Sequence, residues 1–304
     1  MSTELRIDAL LPNEMAQRAE LLGVRKSELP FLTMFALALL AGAFIALGAI
    51  FATTVTAGSM AIRAPDNTVA FTTGLPYGVV RLLTGLVFCL GLILVIVGGA
   101  ELFTGNNLIV MAWASRKVTT SALLRNWIIV YIGNFIGSIG TAVLVFLSKQ
   151  YTFGDGAIGR AALTIANSKV NLEFVQAIAL GILCNALVCL AVWMCYSARS
   201  TVDKILAIIF PITAFVAAGF EHSIANMYFI PVGLFIKAFD PTFTEKIATA
   251  ANLNLDGLTW GTFLFNNLLP VTIGNIIGGA ILVAAVYWLI YLRPATYTPV
   301  IRRR

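Results

Sequence analysis

Long runs without a charged side chain limit what this chain can fold into. Residues 31–62, 126–148, 174–198 and 257–292 contain no Asp, Glu, Lys or Arg. A helix crosses the hydrocarbon core of a bilayer with about 20 apolar residues, so each run accommodates one crossing. The 304 residues are 59% hydrophobic and only 11% charged. A soluble domain carries roughly 25% charged residues, so this chain has too few to coat its own surface in water. A large soluble helical protein is thereby excluded.

Two further apolar segments each hold one carboxylate. Residues 82–115 contain Glu101, and residues 205–236 contain Glu221. Each is too long for one straight crossing and too short for two. The glutamates sit in matching contexts, "GAELFTGN" at 99–106 and "GFEHSIAN" at 219–226. A buried carboxylate is costly unless it is paired or hydrogen-bonded, and a helix break leaves backbone N–H groups that lipid cannot satisfy. Each segment therefore reads as two half-helices. Glu101 and Glu221, with Asn106 and Asn226, are expected to hold the breaks open by accepting from those N–H groups or from neighbouring amides. Glu221 also stands as a candidate in a proton path.

The expected fold is all-α and integral to the membrane, with six spans, the second and fifth broken. "IGNFIG" at 132–137 and "IGNIIG" at 273–278 form a second echo. Two halves of three spans follow, about 31–148 and 174–292. Three is odd, so the second half enters from the opposite side, as an aquaporin-like inverted repeat. Residues 1–30 hold no signal peptide. "LPNEMAQRAELLG" reads as a short amphipathic helix ending near Gly23, and residues 293–304 as a basic tail. With both termini cytoplasmic, 13 of the 20 lysines and arginines lie inside, in keeping with the positive-inside rule.

His222 is the only histidine and follows Glu221 at one break. An ionisable group inside a membrane is a functional candidate, and imidazole titrates nearest neutral pH. Thr104, at the other break, offers a hydroxyl that could face it. Phe88 and Leu92 are four apart, and Phe215 precedes His222 by seven residues. They read as ordinary packing or as constrictions around a polar pocket. The four cysteines lie in apolar runs and suggest no metal. No cofactor and no nucleic-acid partner are expected. The chain holds no G-x-S-x-G elbow and no phosphate loop, so it does not read as an enzyme. A water or neutral-solute channel is an alternative, but no Asn-Pro-Ala occurs.

"GAELFTGN", "GFEHSIAN", "VTIGNIIGG" and "LAVWMCYSARSTVDK" strongly resemble the formate/nitrite transporter family, and the bacterial formate channels most closely. The resemblance covers nearly the whole chain, including "LLPNEMAQRAELLGV". It implies a homopentamer of aquaporin-like protomers in a bacterial inner membrane, each with its own pore. It implies that His222 and Thr104 line the central site with Asn185 nearby. It further implies an apolar gate of Phe88, Leu92 and Phe215, a second gate that includes Leu102, and Lys169 drawing anions toward the pore. The 57–78 loop is longer than in those channels. The expected activity is proton-coupled passage of small monovalent weak acids. Formate is expected first, with nitrite and hydrosulfide as alternatives.

Overall fold

The computed structural model describes residues 9–58, 61–63, 69–72 and 74–293. The expected basic tail beyond residue 293 lies outside them. The described residues form helices α1 (Pro12–Ser27), α2 (Phe31–Ala57), α3 (Tyr77–Gly98), α4 (Val110–Ala114), α5 (Thr120–Leu147) and α6 (Ala157–Val170). Helices α7 (Phe174–Ser197), α8 (Thr201–Ala218), α9 (Ser223–Phe239) and α10 (Pro241–Ala251) follow. The last helix, α11, runs from Trp260 to Tyr291 with two π-type stretches. Six of these, α2, α3, α5, α7, α8 and α11, are long and apolar enough to cross a membrane.

Between α2 and α3 a small antiparallel hairpin pairs β1 (Ala61–Arg63) with β2 (Val69–Thr72). It occupies the long 57–78 loop and is an exception to the all-helical expectation. Two further helices also escaped the sequence reading. Helix α10 fills the polar insertion before residue 257, with Asp240 capping it by accepting from the Phe243 N–H. Helix α6 follows the third span.

Helix α1 does not stop at Gly23; it continues to Ser27. A Cβ at Gly23 would come within 3.0 Å of the Ala112 Cβ, so this glycine marks a close helix approach and not a terminus. Met15, Ala16 and Ala19 are buried in one apolar cluster with Leu108, Met111 and Trp193. Lys117 pairs with Glu20 beside this cluster.

The two apolar segments holding a glutamate end their first helix in the same way. Gly99 caps α3 with φ 79° and ψ 30°, and Gly219 caps α8 with φ 78° and ψ 26°. Both are left-handed, a conformation that costs other residues roughly 1–2 kcal/mol. Ala100 N–H returns to Val95 O, and Phe220 N–H returns to Phe215 O. These bonds satisfy carbonyls that the helix end leaves open. After Gly99 the chain is irregular until a 3₁₀ turn at Gly105–Ile109 leads into α4. After Gly219 three residues, 220–222, are non-helical before α9 begins at Ser223.

The halves also pack alike. A Cβ at Gly137 of α5 would lie 2.1 Å from Leu39 O of α2, and one at Gly278 of α11 would lie 2.2 Å from Ile182 O of α7. No side chain fits at that distance, so both "IGN" motifs carry a glycine where two helix backbones meet.

Candidate permeation site

Each interrupted segment is held by a buried ring of amides. Asn134 of α5 donates to Ala38 O at 2.8 Å and Glu101 O at 2.9 Å, and accepts from the Phe103 N–H at 2.9 Å. Asn275 of α11 donates to Gly181 O and Glu221 O, both at 2.9 Å, and accepts from the Ser223 N–H at 2.9 Å. Glu101 N–H reaches Leu37 O, and Glu221 N–H reaches Leu180 O. These bonds take up backbone groups that the breaks would otherwise strand in an apolar interior, where each unmade bond costs about 1–3 kcal/mol.

The carboxylates themselves do something else. Glu101 accepts from Lys26 Nζ and from Asn106 Nδ2, each at 2.7 Å. Glu221 accepts from Lys169 Nζ and Asn226 Nδ2, again at 2.7 Å. Asn106 Nδ2 reaches on to Asn126 Oδ1, and Asn226 Nδ2 to Asn267 Oδ1. The circuits close with Asn126 donating to Lys26 O and Asn267 to Lys169 O. Of the partners expected for the glutamates, backbone N–H groups or neighbouring amides, the amides are found, in Asn106 and Asn226; the lysines were not foreseen. Asn106 and Asn226 stand where that reading put them, at the breaks.

The break residues differ where they face one another. His222 is the N-cap of α9, and its Nδ1 accepts from the Ala225 N–H at 3.0 Å. A ring nitrogen that accepts carries no hydrogen, so in the neutral imidazole the hydrogen lies on Nε2. Nε2 is 3.0 Å from Thr104 Oγ1 and donates to it. Both residues are buried. The hydroxyl and imidazole thus meet across the two breaks, as the sequence suggested.

Two cavities lie nearby; His222 lines one of them and Thr104 lines neither. One, of about 260 Å³, is lined by Phe88, Phe215, His222, Lys169 and Arg81 among others. The other, of about 410 Å³, is lined by Leu92, Leu102, Lys26, Arg18 and Lys204 among others. Arg81 lies in the second turn of α3 and Gly99 caps its C-terminal end, so the cavities lie toward opposite ends of that helix. The apolar residues named as constrictions line different cavities. Phe88 and Phe215 meet edge to face at 5.7 Å, and Phe215 lies against the His222 ring at 5.9 Å. Leu92 belongs with Leu102 on the other cavity. One turn of α3 separates Phe88 from Leu92.

Two expected site residues have other surroundings. Asn185 lines neither cavity. Its Nδ2 donates to Asn275 O at 2.7 Å and Asn107 Oδ1 at 2.9 Å, and also approaches Thr104 O at 3.3 Å. It braces Thr104 from behind. Lys169 does face its cavity, but its ammonium is held by Glu221 and lies 5.5 Å above the Phe229 ring. Lys26, Asn126, Asn134, Asn267 and Asn275 were missed as site residues.

Comparison with known proteins settles the lineage. The family profile described as Formate/nitrite transporter matches residues 13–289. This chain belongs to the formate/nitrite transporter family. Among curated members of this family, the Escherichia coli K12 formate channel FocA is 45% identical over 96% of this chain and 98% of its own length. The FocA formate channel of Haemophilus influenzae is 41% identical over 90% of this chain and 92% of its own length. Of solved structures, one described as a pentameric formate channel with formate bound superposes with TM-score 0.75. It is 44% identical and covers 86% of this chain and 98% of its own. An FNT family ion channel superposes at 0.71 with 27% identity, over 91% and 98% of the two chains. A multi-pass membrane protein of this family, named among its relatives for channels and transporters, is the reading these likenesses support.

Proposed function

We propose that the chain is a membrane channel for small monovalent weak acids, with formate the foremost substrate, and that substrate crosses the His222 level uncharged. The observation that carries the proposal is the buried Thr104–His222 pair, whose imidazole lines the cavity that also holds Phe88 and Phe215. Relatives named as formate channels supply the substrate class.

The physical case runs through solvation. A bare anion next to Phe88, Phe215, Leu92 and Leu102 loses its water without gaining equivalent partners. Its proton affinity therefore rises. His222 supplies the proton. Uptake of a proton at Nδ1 displaces the Ala225 N–H and makes an imidazolium. The Nε2–H bond then breaks as an O–H bond forms on the substrate, leaving the ring neutral. The uncharged acid passes the apolar residues and releases its proton in the far cavity. Such transport carries no net charge, so a potential of 100 mV does not oppose it by the ~2.3 kcal/mol owed per elementary charge.

The same reading takes α3 with α4, and α8 with α9, as two broken spans of an inverted repeat. It places the protein as a homopentamer in a bacterial inner membrane, with both termini cytoplasmic and an anion-attracting positive charge in each vestibule. Nitrite and hydrosulfide are the competing substrates.

The test is purified protein in proteoliposomes. Labelled formate, nitrite and hydrosulfide are offered across a pH series while current and internal pH are recorded. Formate uptake that rises as pH falls and carries no current is expected. Flux that is wholly electrogenic and uncoupled from protons would reject the neutral-acid route.

A further inference from the structure

The cavity beside His222 is lined by two cations and one carboxylate: Arg81, Lys169 and Glu221. The Lys169 ammonium and the Glu221 carboxylate lie 2.7 Å apart and hold side-chain exposures of only 15% and 6%. At that separation their fields largely cancel in the cavity. Arg81 has no ion pair among the described residues. Its Nε donates to Ala217 O at 3.0 Å and its Nη2 to Val216 O, the closing carbonyls of α8. Its Nη1 has no acceptor among the described residues.

The backbone contributes little to the balance. A helix C-terminus carries about −0.5 of an elementary charge and an N-terminus about +0.5. The end of α8 and the start of α9 face the same break, so these two partial charges offset one another. What remains in the cavity is one whole positive charge, that of the Arg81 guanidinium.

We propose that Arg81, and not the paired Lys169, draws small monovalent anions into the His222 cavity, with the open Nη1 N–H groups as their first hydrogen-bond donors. The proposal rests on the weak-acid reading above and names the residue that brings the substrate to that site. An arginine suits the task because its planar fork can clamp two carbonyls with one edge and offer the other edge to a carboxylate. Glu221 is then a neutralising partner for Lys169, which removes that lysine from the field an approaching anion feels.

The experiment measures formate uptake into proteoliposomes at several ionic strengths for wild type, Arg81→Gln and Arg81→Lys. The expected result for Arg81→Gln is an apparent KM raised three- to tenfold at low ionic strength, with a smaller effect on maximal flux. The gap should narrow near 0.5 M salt, where screening acts within a few ångströms. Arg81→Lys, which keeps the charge and loses the fork, should restore most of the low-salt KM. A KM for Arg81→Gln within twofold of wild type, with the same salt dependence, would overturn the proposal. So would a Lys variant indistinguishable from the Gln variant, because Arg81 would then act only as a clamp on α8. Should Arg81→Gln not assemble, the wild-type KM decides, since a value independent of ionic strength also rejects steering by Arg81. Absence of wild-type formate uptake would instead overturn the function itself.

Discussion

The one ring of His222 serves the backbone and, on the proposed route, the passage. Its Nδ1 closes the first turn of α9 and its Nε2 meets Thr104. Two substitutions separate the roles. Asparagine is a strong N-cap but does not titrate, whereas phenylalanine is neither. In His222→Asn, thermal stability should stay near wild type while the pH dependence of uptake disappears. In His222→Phe the same loss should come with about 1 kcal/mol of destabilisation from the missing cap. Thermal unfolding in detergent, with uptake at several pH values, checks both outcomes. A His222→Asn protein with an unchanged pH profile would remove the imidazole from the proton path. His222 and Thr104 were legible because a lone histidine at a helix break is rare in an apolar sequence. That Phe88 and Leu92 line different cavities was not. Spacing by four puts two side chains on one face but about 6 Å apart along the axis, enough to assign them to different cavities.

Elements hold their positions through the paired circuits of lysine, glutamate and two asparagines. Breaking a buried ion pair by removing one partner costs about 3–5 kcal/mol, because the other charge is left without compensation. Lys169→Met should destabilise the protein by about that much, and adding Glu221→Gln should recover more than half. Lys26→Met should cost less, because Lys26 keeps 29% of its side-chain exposure. Denaturation midpoints of the single and double variants measure the coupling. Little of this was visible beforehand. The glutamates and their asparagines announced themselves by repetition. Asn134 and Asn275 also lay in view, inside the "IGN" echoes, yet a motif says nothing of which backbone groups its amide will meet. Neither Lys26 nor Lys169 was paired with its glutamate, because the partners lie 75 and 52 residues away. No local periodicity encodes such a pairing. Helix α10 was hidden by the polar composition of its segment.

For the molecule as a whole, the hydropathy of the spans fixed the architecture, since lipid permits few alternatives to helices with satisfied backbones. Helices α3, α5 and α8 expose large apolar side chains such as Leu82, Leu144 and Phe210. In the proposed pentamer, lipid and neighbouring copies would share the covering of such surfaces. Native mass spectrometry of gently solubilised protein should record five copies, and a monomer would remove the pentamer from the proposal. The two halves share a frame but not a lining. Counting from the matched glutamates, the residue in the first half that corresponds to His222 is Leu102, and the one that corresponds to Thr104 is Ile224. On the proposed route, a solute arriving from one compartment meets an imidazole before it meets leucines; from the other, leucines come first. Equilibrium distribution cannot depend on that order, but saturating velocities can. Inward and outward maximal rates under mirror-image gradients should therefore differ, making the protein a kinetic rectifier without any energy source of its own.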